Sequence, residues 1–294
     1  MGMKIKRISA FCATALLSVY VANAAPPTRM NLSQAIQQHI VTVTAEATGN
    51  SYMQQGLKLT VKNTGSLNFI LVVNQGVTFN ATDDKVQPLI LAGEETVPLQ
   101  PLKEVTVNVQ TFCGNSNAAA PGKGQAYQYS GLAGDELIKL LAYLKQNRLY
   151  NELGQQAVWM FTNDHNLNSV YDGNNEFVSK KLQDFLITLT GKPKPEYYVK
   201  SSVNTVAGQA VHDPKTLKIY AHFEEKLEAA KKLTLGVYNE QGAMVQPVFE
   251  NRNFGPAGHR FKVEFEAKNV PEGKYYIRLK EGDVILRETI VEVK

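Results

Sequence analysis

Two side chains in this sequence have types that could do covalent chemistry together, Cys113 and Gln155. A cysteine reacts as its thiolate, a nucleophile toward acyl carbon. A glutamine carboxamide is an acyl group whose leaving group is ammonia. The chain holds two cysteines, Cys12 and Cys113. Cys12 falls in a segment with the marks of a cleaved leader, so the mature chain cannot close a disulfide within itself, and a thiol in an exported protein is worth following.

The elements around these residues decide whether they can meet. Val105, Val107 and Val109 alternate with Thr106, Asn108 and Gln110, and the same parity runs on through Thr111 to Cys113. That period of two predicts one strand carrying these residues on one face. Downstream, Leu153, Ala157, Met160 and Phe161 recur at helical spacing, while Gln155 shares the other face with Val158, Trp159 and Thr162. A helix apolar on both faces is buried. Gln155 and Gln156 therefore predict buried amides, and buried amides need partners. The helix start near Gln155 would offer backbone N–H groups and a positive dipole end to a thiolate or an oxyanion.

The stretch GQQAVWMFTN, Gly154 to Asn163, resembles the T-Q-x-A-[IV]-W-x-F-T motif of thioester domains in surface adhesins of Gram-positive bacteria. Ala157, Val158, Trp159, Phe161 and Thr162 match as they stand, and the cysteine precedes the glutamine as in that family. Gly154 stands where the family has threonine. The resemblance covers roughly residues 105–170. It implies that Cys113 attacks the Gln155 carboxamide, ammonia leaves and an internal thioester forms, an electrophile stored inside the fold that a partner's amine then opens. Gln156, Trp159, Thr162 and His165 are the expected supporting residues. The succession of a sandwich, FCGN and a helical region with QQAVW also looks like exported modules of Gram-negative bacteria.

Other readings of the same residues stay open. Gln155 and Gln156 can simply bond backbone at a sandwich–helix interface, with Cys113 as a small apolar filler. A cysteine hydrolase would pair Cys113 with His165 as base, although Asn163-Asp164-His165-Asn166 reads as a turn. Asp83-Asp84 and the run Asp172-Gly173-Asn174-Asn175 lack calcium-loop spacing and read as turns. His212, His222 and His259 show no zinc spacing. Gly122-Lys123-Gly124 lacks the context of a phosphate loop. The expectation is a non-enzyme without cofactor or metal.

The chain as a whole reads as exported and mainly β with a helical subdomain. Lys4, Lys6 and Arg7, an apolar run from Ile8 to Val21 and Ala22-Asn23-Ala24 mark residues 1–24 as a signal peptide. Residues 25–35 read as a leader. Turn-separated alternating stretches predict an antiparallel β-sandwich, followed by a helical region, over 36–191. Helical stripes recur at Leu137–Leu144, Leu153–Phe161 and Val178–Leu189. Residues 192–196 are a Pro-rich linker, and 197–294 an immunoglobulin-like β-sandwich. Its stretches LGVYNEQGAMV and VPEGKYYIRLKEGDVILRETIVEVK resemble C-terminal sorting domains of the type IX secretion system, without their Pro-Asn-Pro entry. That resemblance implies delivery to the cell surface; a plain stalk is the alternative.

The formal charge of +4 falls near neutral once Lys4, Lys6 and Arg7 are removed. No basic cluster is interleaved with aromatics, so nucleic acid is not an expected partner. No mature stretch is apolar enough for a transmembrane helix. The expected partner is a protein or glycan outside the cell, met by an adhesion or binding module that is secreted, periplasmic or on the surface.

Overall fold

In a computed structural model the protein is mainly β with a small helical part. The structure describes residues 27–49, 55–204 and 206–294. The expected signal peptide, its cleavage site and Cys12 lie outside the described residues.

The first β unit has ten strands: β1 (Thr28–Asn31), β2 (Val41–Ala47), β3 (Leu57–Asn63), β4 (Phe69–Val73), β5 (Val77–Ala81), β6 (Leu89–Leu91), β7 (Glu95–Leu99), β8 (Glu104–Val109), β9 (Thr111–Cys113) and β10 (Ala126–Leu132). Alternation puts Leu57, Leu59 and Val61 of β3 inside and Lys58 and Lys62 outside, as a half-buried strand requires. A three-stranded sheet, β1-β4-β7, faces a seven-stranded one ordered β8-β3-β2-β10-β5-β6-β9. Leu71, Val73, Val97 and Leu99 of the small sheet share a core with Leu57, Leu59, Val61 and Phe79 of the large one. The pairing is antiparallel except for β1 on β4, which is parallel.

Two expectations are corrected here. The leader is part of the fold: Thr28–Asn31 is β1, and helix α1 (Leu32–Gln37) follows, with Leu32 and Ala35 fully buried in the sandwich core. Its sequence is too short and too polar for a visible period, yet two apolar side chains anchor it. Nor do residues 105–113 form one strand. β8 and β9 are the two edges of the large sheet, with Gln110 alone between them. The sheet curls far enough for consecutive residues to sit on opposite edges. The parity of Val105 therefore does not carry to Cys113, and Thr111, Phe112 and Cys113 are all buried.

Three helices follow: α2 (Asp135–Gln146), α3 (Glu152–Thr162) and α4 (Glu176–Thr190). Leu137, Leu140, Leu141 and Leu144 of α2, Trp159 and Val158 of α3 and Leu182 and Leu186 of α4 form their own core against Ile90, Phe112 and Cys113. Gly191 ends α4 in a left-handed conformation, φ 69°, a geometry that favours glycine.

The C-terminal β unit has seven strands: β11 (Tyr197–Val203), β12 (His212–Leu227), β13 (Lys231–Tyr238), β14 (Met244–Phe254), β15 (Ala257–Glu266), β16 (Gly273–Glu281) and β17 (Val284–Val293). They form sheets β11-β12-β15 and β14-β13-β16-β17. Near the start of β16 the Tyr275 hydroxyl donates to the Pro271 carbonyl at 2.8 Å. A tyrosine tied to the preceding corner is a hallmark of immunoglobulin-like sandwiches. This unit abuts the helical region through Tyr171, stacked on Tyr198 at 4.3 Å, and through the ion pair of Glu176 with Lys262.

Candidate functional site

β9 is an edge strand. Gly114 N–H bonds to the Pro88 carbonyl, and Ala92 N–H to the Gln110 carbonyl. Residues 110, 112 and 114 thus turn their main-chain groups toward β6, and Cys113, one residue out of phase, turns its own N–H and C=O to the open side. Gln155 fills that side. Its Oε1 accepts from Cys113 N–H at 2.8 Å and its Nε2 donates to the Cys113 carbonyl at 2.9 Å. One side-chain amide thereby stands in for a missing strand. Gln155 is fully buried and Cys113 is 3 % exposed.

Cys113 and Gln155, expected in one place from the sequence, meet there. The means differ from those expected. The oxygen of the Gln155 amide is held by the strand's own N–H, not by the start of α3. That helix start is occupied: the Asn151 side chain caps Gly154 N–H at 3.1 Å, and Gln155 N–H bonds to the Asn151 carbonyl.

The far end of α3 grips the loop after Cys113. Asn163 Oδ1 accepts from Ser116 N–H at 3.0 Å, and Asn163 Nδ2 donates to Asn115 Oδ1 at 3.1 Å. Thr162 Oγ1 donates to Asn163 Oδ1 at 3.0 Å, so Thr162 orients the gripping amide. Asn163, Asn115 and Ser116 were not singled out in the sequence. The Asn-rich turn after the helix was their only signal.

His165 faces Ser116 and Gln156. Its Nε2 lies 3.0 Å from Ser116 Oγ and its Nδ1 3.4 Å from Gln156 Oε1. Ser116 is fully buried. Both ring nitrogens thus have protein partners, whereas a general base for Cys113 would turn one of them to the thiol. His165 also packs on His212 at 4.7 Å and on Trp159 at 5.4 Å. Trp159 is fully buried and acts as the wall behind both imidazoles.

Burial lowers His165 to about 4, with His212 beside it opposing a second charge, and burial lowers His212 as well, against a smaller upward pull from Asp213. A histidine whose folded pKa is depressed stabilises the fold above its unfolded value, near 6.5, and that contribution is lost as pH falls toward the folded value. Stability should therefore be flat above pH 6.5 and decline toward pH 4. The full shift at His165 corresponds to about 3 kcal/mol, reduced to roughly 1–2 kcal/mol because the ring is half solvated. Thermal melts across that range test this. His165→Gln should flatten the decline, and an unchanged profile would overturn the assignment.

A groove of about 630 Å³ opens one residue beyond the thiol, lined by Pro88, Ile90, Gly114, Asp135, Glu136 and Phe161 among others. Its two carboxylates stand in the first turn of α2. Among the described residues no cluster of metal-ligating side chains occurs, and no helix is long and apolar enough to cross a membrane. No family model matches the chain, and no curated protein matches it.

Proposed function

We propose that this chain is an exported binding module whose Cys113 and Gln155 form an internal thioester for covalent attachment to a partner amine. One observation carries the reading: the Gln155 amide is fixed against Cys113 by two hydrogen bonds in a buried place. Strand side chains stand out of the sheet plane. The Cys113 side chain therefore leaves its Cα near the normal to the plane in which its N–H and C=O hold the amide, and attack on an amide carbon uses that normal. Cys113 N–H already sits on Oε1, where negative charge develops, as an oxyanion donor.

In the first step sulfur bonds to the amide carbon, the carbon–nitrogen bond breaks, and ammonia leaves with the thiol proton. In the second, a partner's amine attacks the same carbon, the carbon–sulfur bond breaks, the thiol is restored, and an isopeptide remains. The groove beside Gly114, with Asp135 and Glu136 in its wall, suits a cationic lysine side chain. The C-terminal unit, by its resemblance to type IX sorting domains, would deliver the module to the surface.

A second reading, a non-covalent module on the same scaffold, is favoured by a different aspect of the clamp. The two hydrogen bonds satisfy the edge of β9 with no help from sulfur. Intact mass of the mature protein separates the readings. The thioester predicts a chain lighter by one ammonia than its sequence, and Cys113→Ala restores the full mass. A full mass in the wild type would leave the clamp as structure alone.

A further inference from the structure

A smaller cavity, about 250 Å³, lies where α3, the loop after Ser169 and β11 meet. It faces Gln156 rather than Gln155. Glu152, Gln156, Tyr171, Asp172, Lys200 and Ser201 are among its walls, so both the helical region and the C-terminal unit contribute.

Gln156 marks the cavity as more than a gap between units. The residue is 4 % exposed. Its Oε1 is turned to His165 at 3.4 Å, while Nε2 makes no hydrogen bond to any described residue. That nitrogen is not among the fully sealed, partnerless polar atoms, so it opens on the cavity it lines. A donor without a protein partner at the wall of a cavity is offered to whatever occupies it, and a bound acceptor would take it up. The rest of the wall supplies both halves of hydrogen bonding. Lys200 donates, Glu152 and Asp172 accept, and the Ser201 hydroxyl is already paired with His212 Nδ1 at 3.5 Å. Asp172 spends one oxygen, Oδ1, on Asn174 N–H at 3.0 Å. Burial raises Glu152, Lys200 draws it down and Asp172 raises it further, and the wall sets two carboxylates against one ammonium.

Neutral hydroxyl groups match such a wall, because each is donor and acceptor at once. A carboxylate and an ammonium or amide side by side hold one hydroxyl from both directions. The volume is below the roughly 300–1,000 Å³ typical of drug-sized ligands, so it suits one ring rather than an oligomer. We propose that this cleft binds a single pyranose unit of an extracellular glycan, through Gln156, Lys200 and the two carboxylates. The proposal rests on the reading of the chain as an extracellular binding module, but not on the thioester.

Saturation-transfer NMR and titration calorimetry on the full mature chain would test it, with glucose, galactose, mannose, fucose and N-acetylglucosamine as probes and glycine as a zwitterionic control. At least one pyranose should bind, with at least tenfold weaker affinity for both Gln156→Met and Lys200→Met and unchanged affinity for Cys113→Ala. Melting curves establish that each variant is folded, and Lys200→Met, at a half-exposed strand position, carries the test if Gln156→Met is not. Binding by none of the sugars, binding of glycine alone, or sugar binding that survives in every folded cleft variant would overturn the cleft. None of those outcomes bears on the intact-mass result, so the two proposals fail separately.

Discussion

Gly154→Thr, the change that would bring this stretch nearer to the thioester-domain motif it resembles, should destabilise this protein by about 3 kcal/mol or more, the upper end of what overpacking costs. A Cβ built on Gly154 would stand 2.0 Å from the Leu149 carbonyl oxygen, 3.2 Å from its carbon and 3.5 Å from the Phe112 ring. The first contact is with main chain, which cannot swing aside as a flexible side chain would. Leu149 N–H is bonded to the Leu144 carbonyl at the end of α2, and its side chain is buried. Relief would require α3 to lift from the turn that precedes it, and the Gln155 clamp would lift with it. Gly154→Ala already introduces the clash, so it should show most of the loss in a urea or thermal melt. An alanine variant as stable as wild type would mean that the α2–α3 turn is softer than these distances indicate. The glycine is thus a requirement of close approach between Leu149 and α3, not an arbitrary departure from the motif.

The same site shows which parts of the fold were legible beforehand. The three helical stripes were, because Leu137, Leu140, Leu141 and Leu144 repeat at a period that only a helix buries on one face. The all-round burial of α3 was legible from two apolar faces, and Trp159, Val158 and Ala157 are indeed fully buried. The break at Gln110 was not. A period of two is blind to where a curled sheet ends, and hydrophobicity continues across the break. Burial of Gln155 could be read; its partner's atoms could not. A buried amide is equally well satisfied by a side chain or a helix terminus, and only the phase of β9 against β6 turns the Cys113 main chain toward it. The role of His165 was beyond reach for a similar reason. Its two partners, Ser116 and Gln156, lie 49 and 9 residues away, and neither carries a spacing that a local pattern can report.

Gln155→Leu should cost about 2–5 kcal/mol, because it strips two buried main-chain groups at once. Cys113 N–H and C=O would each lose their partner at a place where water does not reach, at about 1–3 kcal/mol apiece. Leucine keeps the volume, so the loss reports hydrogen bonding rather than a cavity. Gln155→Glu separates the two bonds. The acid form has a donor and an acceptor and can restore both; the carboxylate has only acceptors and would confront the Cys113 carbonyl in a dry site. Desolvation and that repulsion hold the folded pKa of the introduced acid above its unfolded value, near 4.3. A raised folded pKa means that the contribution is fully present below pH 4.3 and is lost as pH rises through the folded pKa. Gln155→Glu should therefore approach the wild type in acid and Gln155→Leu at higher pH, opposite in sense to the His165 contribution of the parent chain. The comparison also bears on the thioester. Loss of ammonia removes Nε2, so a chain that has formed the bond has already given up the donor to the Cys113 carbonyl, and covalent closure takes over the hold on β9. In that chain Cys113→Ala would remove the covalent link and recover the amide donor together. In a chain without the thioester the alanine variant would remove the thiol and leave the Gln155 amide on the same main-chain groups. Urea melts of Cys113→Ala, Gln155→Leu and wild type, each tied to its intact mass, distinguish a clamp that is spent in making a bond from one that holds the edge strand as it stands.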